Sequence, residues 1–304
     1  GVVSSVNSVQ PDWAMAVANS LVACASEWLR ALAEIAAAVA RTNEVSAPVS
    51  DIEPSAVSSD IAKALLRGEN KAILLGNAAA HHSQASKLLA LCNWIGEQTG
   101  ASVGCLTEAA NTVGAQWVNA LPDAGALHAG QMLSGALKGV LLLNTEPVWD
   151  SAAGAGAVGA LAGADMVVTL SPFKTNMDFS DVLLPIAPFT ETSGSFVNAE
   201  ARLQSFHAVV RPLGETRPGW KVLRVLANLM EIPGFEFETS QDVLGQIAGA
   251  QSNAAALPSA LLSNRSEALV SSDVSGVANE APASAAIYQL DSLVRRSPSL
   301  QATR

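Results

Sequence analysis

Charged residues are scarce in this chain, 14 % of 304, and aromatic residues are scarcer still at 5 %. What charge there is leans negative, to a formal net of −10. Affinity for nucleic acid comes from clustered Lys and Arg neutralising phosphates, so an acidic chain without a basic patch is not built for a nucleic-acid partner. Long apolar runs are missing too. A spanning helix needs roughly 18 such residues in a row, and the nearest candidates are interrupted, as at Asn19 and Ser20, or made of Gly and Ala, as in SAAGAGAVGALAGA. No direct membrane insertion is expected. The first residues, GVVSSVNSVQPDW, lack the basic start and apolar centre of a secretory signal. They read as the tail of a strand followed by a loop, as though cut from something longer.

Cysteine is equally sparse. Cys24, Cys92 and Cys105 are odd in number and far apart, which suits free thiols in a reducing compartment rather than a disulfide framework. Iron–sulfur clusters and structural zinc use close Cys-x-x-Cys spacings, and none occurs. His81 and His82 form the one histidine pair. Adjacent side chains diverge, and no carboxylate or Cys stands at ligand spacing, so a loop or helix-cap role is expected and no metal-ligating residue is assigned.

What the chain does have is apolar bulk: 49 % hydrophobic residues fill a sizeable core. Abundant alanine favours helices and leaves some surfaces poorly solvated unless a partner covers them. Residues 13–40 carry no internal Pro or Gly, and the pattern predicts a helix or helical pair there. SSDIAKALLRGE follows, with serines able to cap, Asp60 near the positive end of the dipole and Gly68 able to terminate. From Lys71 the pattern alternates: KAILLG, a helical SQASKLLALCNWIGEQTG, ASVGCL, a helix near HAGQMLSGALKG, then VLLLN, DMVVTL and DVLLP. Short, nearly all-apolar strands between helices are what a parallel sheet covered on both faces requires. The fold class expected is α/β: a Rossmann-like, doubly wound, mainly parallel sheet with helical N-terminal and C-terminal extensions. The domains expected are an N-terminal helical segment and linker over 1–59, an α/β domain over 60–215, and a C-terminal helical region with a low-complexity tail over 216–304. Ligands of such sheets sit beyond the carboxyl ends of strands, which places GNAAAHHS, TEAANTVG, NTEPVWD and SPFKTN along one edge. RPGWKVLRVLANLM is expected as a helix with a stripe of Trp220, Leu223, Val225, Leu226 and Leu229. Beyond Ser240 the sequence loses contrast and predicts short helices on mobile linkers.

Gly154, Gly156 and Gly159 spell GxGxxG, but the dinucleotide turn needs its first glycine directly after a strand. Here TEPVWDSAA intervenes after VLLLN, so the glycines are placed inside an Ala/Gly-rich helix packed closely on the sheet. Glu191 and Glu200 flank the turn in DVLLPIAPFTETSGSFVNAEARLQS and suggest an acid–base pair. No nucleophile or oxyanion hole accompanies them, and no catalytic residue is assigned. Glu191 is expected to accept N–H bonds from the turn at 192–194, and Asn198 to bridge strands through its amide.

ADMVVTLSPF, DVLLPIAPFTETSGSFVNAEARLQSF and GETRPGWKVLRVLANLM resemble the molybdopterin-oxidoreductase family, and within it the large iron–sulfur subunit of bacterial NADH-quinone oxidoreductase, respiratory complex I. KAILLGNAAAHH, TGASVGCLTEAANTVGAQW and LLLNTEPVWD extend the likeness to roughly residues 60–235. Two departures stand out: the wider family shows Gly-Thr where Gly194-Ser195 stands here, and Glu-Gly-Arg where Glu200-Ala201-Arg202 stands. A hydroxyl survives the first change. Alanine in the second loses freedom at positive φ and makes a close backbone approach to a cofactor less secure.

The resemblance implies a parent subunit with iron–sulfur clusters in an N-terminal region, passing electrons from NADH and flavin toward quinone. The cluster cysteines are absent here, so it implies a non-catalytic scaffold with no cofactor in this fragment and no molybdopterin. A vestigial groove would be marked by Asn111, Glu191, Ser195 and Asn198. The partners implied are other peripheral-arm subunits of complex I and the iron–sulfur domain of the same subunit. The location implied is the cytoplasmic side of the bacterial inner membrane, within a membrane-associated complex. Two other readings remain open: a fragment of an active, formate dehydrogenase-like molybdopterin oxidoreductase with its metal ligand upstream, and a nucleotide-binding Rossmann module.

Overall fold

A computed structural model describes residues 1–122, 125–135, 137–247, 264–270, 273–275 and 287–302. The chain forms two compact units, Gly1–Ala109 with Leu262–Ser284, and Ala110–Leu261 with Ala285–Arg304.

Unit 1 begins with parallel strands β1 (Ser4–Asn7) and β2 (Asn19–Val22), in which Ser4 stands opposite Asn19. The helix expected over 13–40 is therefore shorter at its start. Asn19 spends its amide on the Ser4 hydroxyl at 3.0 Å, and the Trp28 indole N–H closes the next turn on Ala23 O at 3.1 Å. Only then does α1 (Trp28–Asn43) run, ending where Glu44 turns left-handed at φ 56°. Its alanines let α2 (Ala56–Arg67) and α4 (Ala85–Thr99) pack closely on it. Ser55 caps α2, accepting from Ser58 N at 3.2 Å, and the buried Ser58 hydroxyl donates to Glu34 Oε2 of α1 at 3.0 Å. Between these helices lie β3 (Ala72–Leu75) and the single turn α3 (Asn77–Ala80), and β4 (Ser102–Cys105) pairs parallel with β3. A Cβ on Gly96 would lie 2.8 Å from the Ala101 carbonyl oxygen, so only glycine lets the chain leaving α4 fold back tightly into β4. The core gathers Leu29, Val39, Leu88, Leu91 and Ile95.

Unit 2 opens with α5 (Thr112–Trp117) and the short α6 (Ala129–Met132). A parallel sheet in the order β5-β6-β7 follows, built from Gly139–Leu143, Met166–Ser171 and Val182–Pro185. Thr169 of β6 stands between Leu142 and Leu183. Helices α7 (Pro147–Asp150) and α8 (Gly156–Ala162) connect β5 to β6. The apolar cluster beneath comprises Leu142, Ala157, Leu161, Val167 and Phe179. Next come the antiparallel hairpin β8 (Gly194–Val197) and β9 (Leu203–Phe206), α9 (Gly219–Leu229) and α10 (Ser240–Ile247). Thr239 and Asp242 exchange bonds at the start of α10, Asp242 N donating to Thr239 Oγ1 at 3.1 Å and Thr239 N to Asp242 Oδ2 at 2.8 Å. The backbone N–H groups of Thr239 and Glu238, then the Thr239 hydroxyl, hold the Asp242 carboxyl below its usual range. The stripe expected on α9 is only partly covered: Trp220, Leu223 and Leu226 are half-buried, while Val225 and Leu229 are exposed. The unit closes with α11 (Ser292–Arg295) and α12 (Pro298–Gln301).

The α/β class with mainly parallel pairing stands as expected, and the β8–β9 hairpin is the antiparallel exception. The reading of the tail over 248–263, 271–272 and 276–286 lies outside the described residues. No helix among the described residues is long and apolar enough to cross a membrane.

Candidate functional site

Beyond β7, Ala187 N donates to Arg217 O at 2.9 Å, and residues Phe189–Glu191 form a 3₁₀ turn. Glu191 does not accept from the turn at 192–194. Its Oε2 takes the Leu213 N–H at 3.0 Å and so pins the segment after β9. Within the hairpin, the Ser195 and Ser205 hydroxyls face each other at 2.7 Å. Asn198 does not bridge strands through its amide. Its Oδ1 accepts from Glu200 N at 3.0 Å and Arg202 N at 2.9 Å, which folds the loop between β8 and β9. Ala201, where the resemblance leads one to expect glycine, sits left-handed at φ 62°. That costs an L-residue about 1 kcal/mol. Asn111 precedes α5, and its Oδ1 accepts from Val197 N at 2.8 Å. The Asn111 amide fills the space that a Cβ on Gly114 would need, so Gly114 is what lets it reach β8. Three of the four groove candidates thus meet at one hairpin, and each of the four spends a side-chain oxygen inside the chain.

The carboxyl edge of the β5-β6-β7 sheet has a second polar assembly that the residue pattern alone did not reveal. After β5 come Thr145 and Glu146; after β6 come Phe173 and Asn176. Asn176, left-handed at φ 59°, donates to Thr145 O at 3.0 Å and links the two loops. The buried Thr169 hydroxyl pairs with Ser180 at 2.8 Å, and Ser171 Oγ accepts from Phe173 N at 3.1 Å. Asp150 Oδ2 accepts from Glu146 N at 2.7 Å and orients the start of α7. Into this edge come two arginines. Arg295 Nη1 meets Asp150 Oδ1 at 2.7 Å, with Nη2 at 3.8 Å from Glu146 Oε2. Arg296 Nη1 lies 2.8 Å from Glu146 Oε1, a contact of charges without the alignment of a hydrogen bond. The Arg296 guanidinium stands 4.1 Å above the Phe173 ring centre. Glu146 and Arg295 are each only 6 % exposed.

Elsewhere the sequence leads resolve simply. Gly154 follows α7 rather than a strand, and Gly156 and Gly159 face open space where a Cβ would meet nothing. Close packing of α8 is therefore the work of Ala157 and Leu161, not of its glycines. His82 stacks on Trp28 at 5.8 Å. Its Nδ1 accepts from Gln84 N at 3.0 Å, which leaves Nε2–H to donate to Ala25 O at 2.9 Å. His81 meets Glu108 at 2.7 Å on the exposed surface. Burial pushes the Cys92 thiol up to about 12. Among the described residues, no three His, Cys, Asp or Glu side chains gather as metal ligands.

The molybdopterin oxidoreductase family matches residues 55–229, more than half of the chain, and this chain belongs to that family. It is 34 % identical over 92 residues to a protein of Staphylococcus aureus (strain bovine RF122 / ET3-1) named provisionally as a formate dehydrogenase; the match covers 29 % of this chain and 9 % of that one. A similarly named protein of Staphylococcus haemolyticus (strain JCSC1435) is 31 % identical over 91 residues, 30 % of this chain and 9 % of the other. The Bacillus subtilis (strain 168) protein YjgC, named provisionally as an oxidoreductase, is 37 % identical over 71 residues, 23 % of this chain and 7 % of YjgC. The chain thus aligns with less than a tenth of the length of these relatives.

The family implies a pterin dinucleotide, whose pyrophosphate needs unpaired N–H donors. At the edge of β5 and β6 the donors are arginines already matched to carboxylates, and at the hairpin the backbone N–H groups of Val197, Glu200 and Arg202 are taken by asparagine oxygens. At these two places the N–H donors named are engaged within the chain.

Proposed function

We propose that this chain is a non-catalytic scaffold domain of an oxidoreductase, the C-terminal part of a subunit like the large iron–sulfur subunit of bacterial NADH-quinone oxidoreductase. The observation carrying this reading is that the carboxylates at the carboxyl sheet edge are paired in charge with the chain's own Arg295 and Arg296. A domain that keeps a family's sheet but fills its ligand edge internally supports neighbours rather than turning over substrate. On this reading the parent carries iron–sulfur clusters and relays electrons toward quinone, molybdopterin is absent, and the partners are the subunit's own iron–sulfur domain and other peripheral-arm subunits on the cytoplasmic side of a bacterial membrane. The exposed Phe189, Val209, Leu213 and Leu229 supply apolar surface for such partners to cover.

A second reading, part of an active molybdopterin-dependent oxidoreductase, is favoured by the names of the relatives. Elemental and pterin analysis of the full-length parent, purified in its native complex, separates the two. Iron without molybdenum or pterin is the outcome expected of the scaffold. Stoichiometric molybdenum would overturn it in favour of the enzyme.

A further inference from the structure

We infer that the carboxyl edge of β5 and β6 is a guanidinium-binding site, and that its ligand is the chain's own C-terminal segment, residues 287–302. The site has the parts such a ligand needs. Phe173 offers a ring face at 4.1 Å to the Arg296 guanidinium, a distance at which the ring quadrupole attracts a planar cation. Asp150 accepts from Arg295, and Glu146 lends its charge to both arginines; the site is set from the sheet side, Asp150 by Glu146 N at 2.7 Å and the neighbouring loops by Asn176 on Thr145 O. The carboxylates are 6 % and 27 % exposed. With the segment in place its arginines neutralise charges largely shielded from water, which would be costly to leave unpaired in that setting.

The ligand is preorganised as well. Asp291 Oδ1 caps α11, accepting from Leu293 N at 2.9 Å and Val294 N at 3.1 Å. Arg295 Nη1 also donates to Gln289 O at 2.9 Å, and Arg296 Nη1 to Ser292 O at 2.8 Å, so both side chains are braced before they meet the sheet. Gln301 ties α12 back to Tyr288 O and Val294 O, each at 3.0 Å. Arg295 Nε is buried without an acceptor, a defect tolerated where the other guanidinium bonds dominate. The segment is thus a tethered clasp: it closes the edge where ligands of parallel sheets enter, and anything that binds there must first displace it.

Hydrogen exchange on the full 304-residue chain tests this. Amides of 292–302 are expected to exchange at least about tenfold more slowly than in a free peptide of residues 287–302. In Arg295→Ala/Arg296→Ala that protection should fall to within about twofold of the free peptide, while β6 stays protected. Should that variant loosen the whole sheet, Phe173→Leu keeps every charge and isolates the stacking; it should speed exchange in α11 alone. Sub-denaturing guanidinium chloride should open the clasp of the unaltered chain more than sodium chloride at equal ionic strength. Exchange as fast as the free peptide, full protection in both variants, or equal action of the two salts would overturn the inference. It stands apart from the scaffold reading, since molybdenum in the parent bears on that reading and leaves the exchange result to be judged by itself.

Discussion

Unit 1 buries ten residues of α1 alone, most of them alanine, against α2 and α4, whereas the apolar cluster of unit 2 has five buried members among the described residues. Both units bury polar groups among the described residues, Ser5, Ser58, His82 and Thr99 in unit 1 and Thr169, Ser171 and Glu146 in unit 2, but only the second set includes a carboxylate, which Arg295 and Arg296 neutralise. The two units therefore fail differently. Apolar burial is non-directional, so unit 1 accepts changes that keep volume and suffers from cavities. A buried charge is balanced only by the right partner at the right distance, so unit 2 suffers from the loss of one guanidinium.

Substitutions can break that contrast. Leu91→Ala, at a fully buried position of α4, is expected to cost about 3 kcal/mol in denaturant unfolding of unit 1. Arg295→Ala should cost about 2 kcal/mol in unit 2, less than an isolated buried pair because Arg296 still neutralises Glu146. If the arginine change costs more than the leucine change, the ranking of the two units is reversed. The smallest effect has the opposite sign. Ala201→Gly relieves about 1 kcal/mol of left-handed backbone cost and returns about half of that as unfolded-chain entropy. A net gain of about 0.5 kcal/mol is expected, read as a higher denaturation midpoint; a loss would mean that the methyl group at 201 is packed.

The strands of the parallel sheets were legible because each is a short apolar run bounded by turn residues, as VLLLN and DMVVTL are. β2 was not, because NSLV lies inside an alanine-rich stretch and its strand character comes only from pairing with β1. The loop of residues 181–205 was legible as a place but not in its bonds. That Glu191 reaches Leu213, and Asn111 reaches Val197, are facts of tertiary geometry that no local spacing encodes. The clasp left one trace, two adjacent arginines near the end of the tail, and the trace acquires meaning only when the fold brings residue 295 to residue 150.

The bond from Val197 N to Asn111 Oδ1 spans 86 positions of chain, and that span sets an order in time. The β8–β9 hairpin is local and can zip within microseconds, with its loop already folded over Asn198. Asn111 must wait for the intervening sheet to bring it there, and the entropy of closing so long a loop is spent before the bond returns anything. The clip is therefore a late event in folding. Its strength is felt mainly in how slowly the finished unit comes apart, and little in how fast it first assembles.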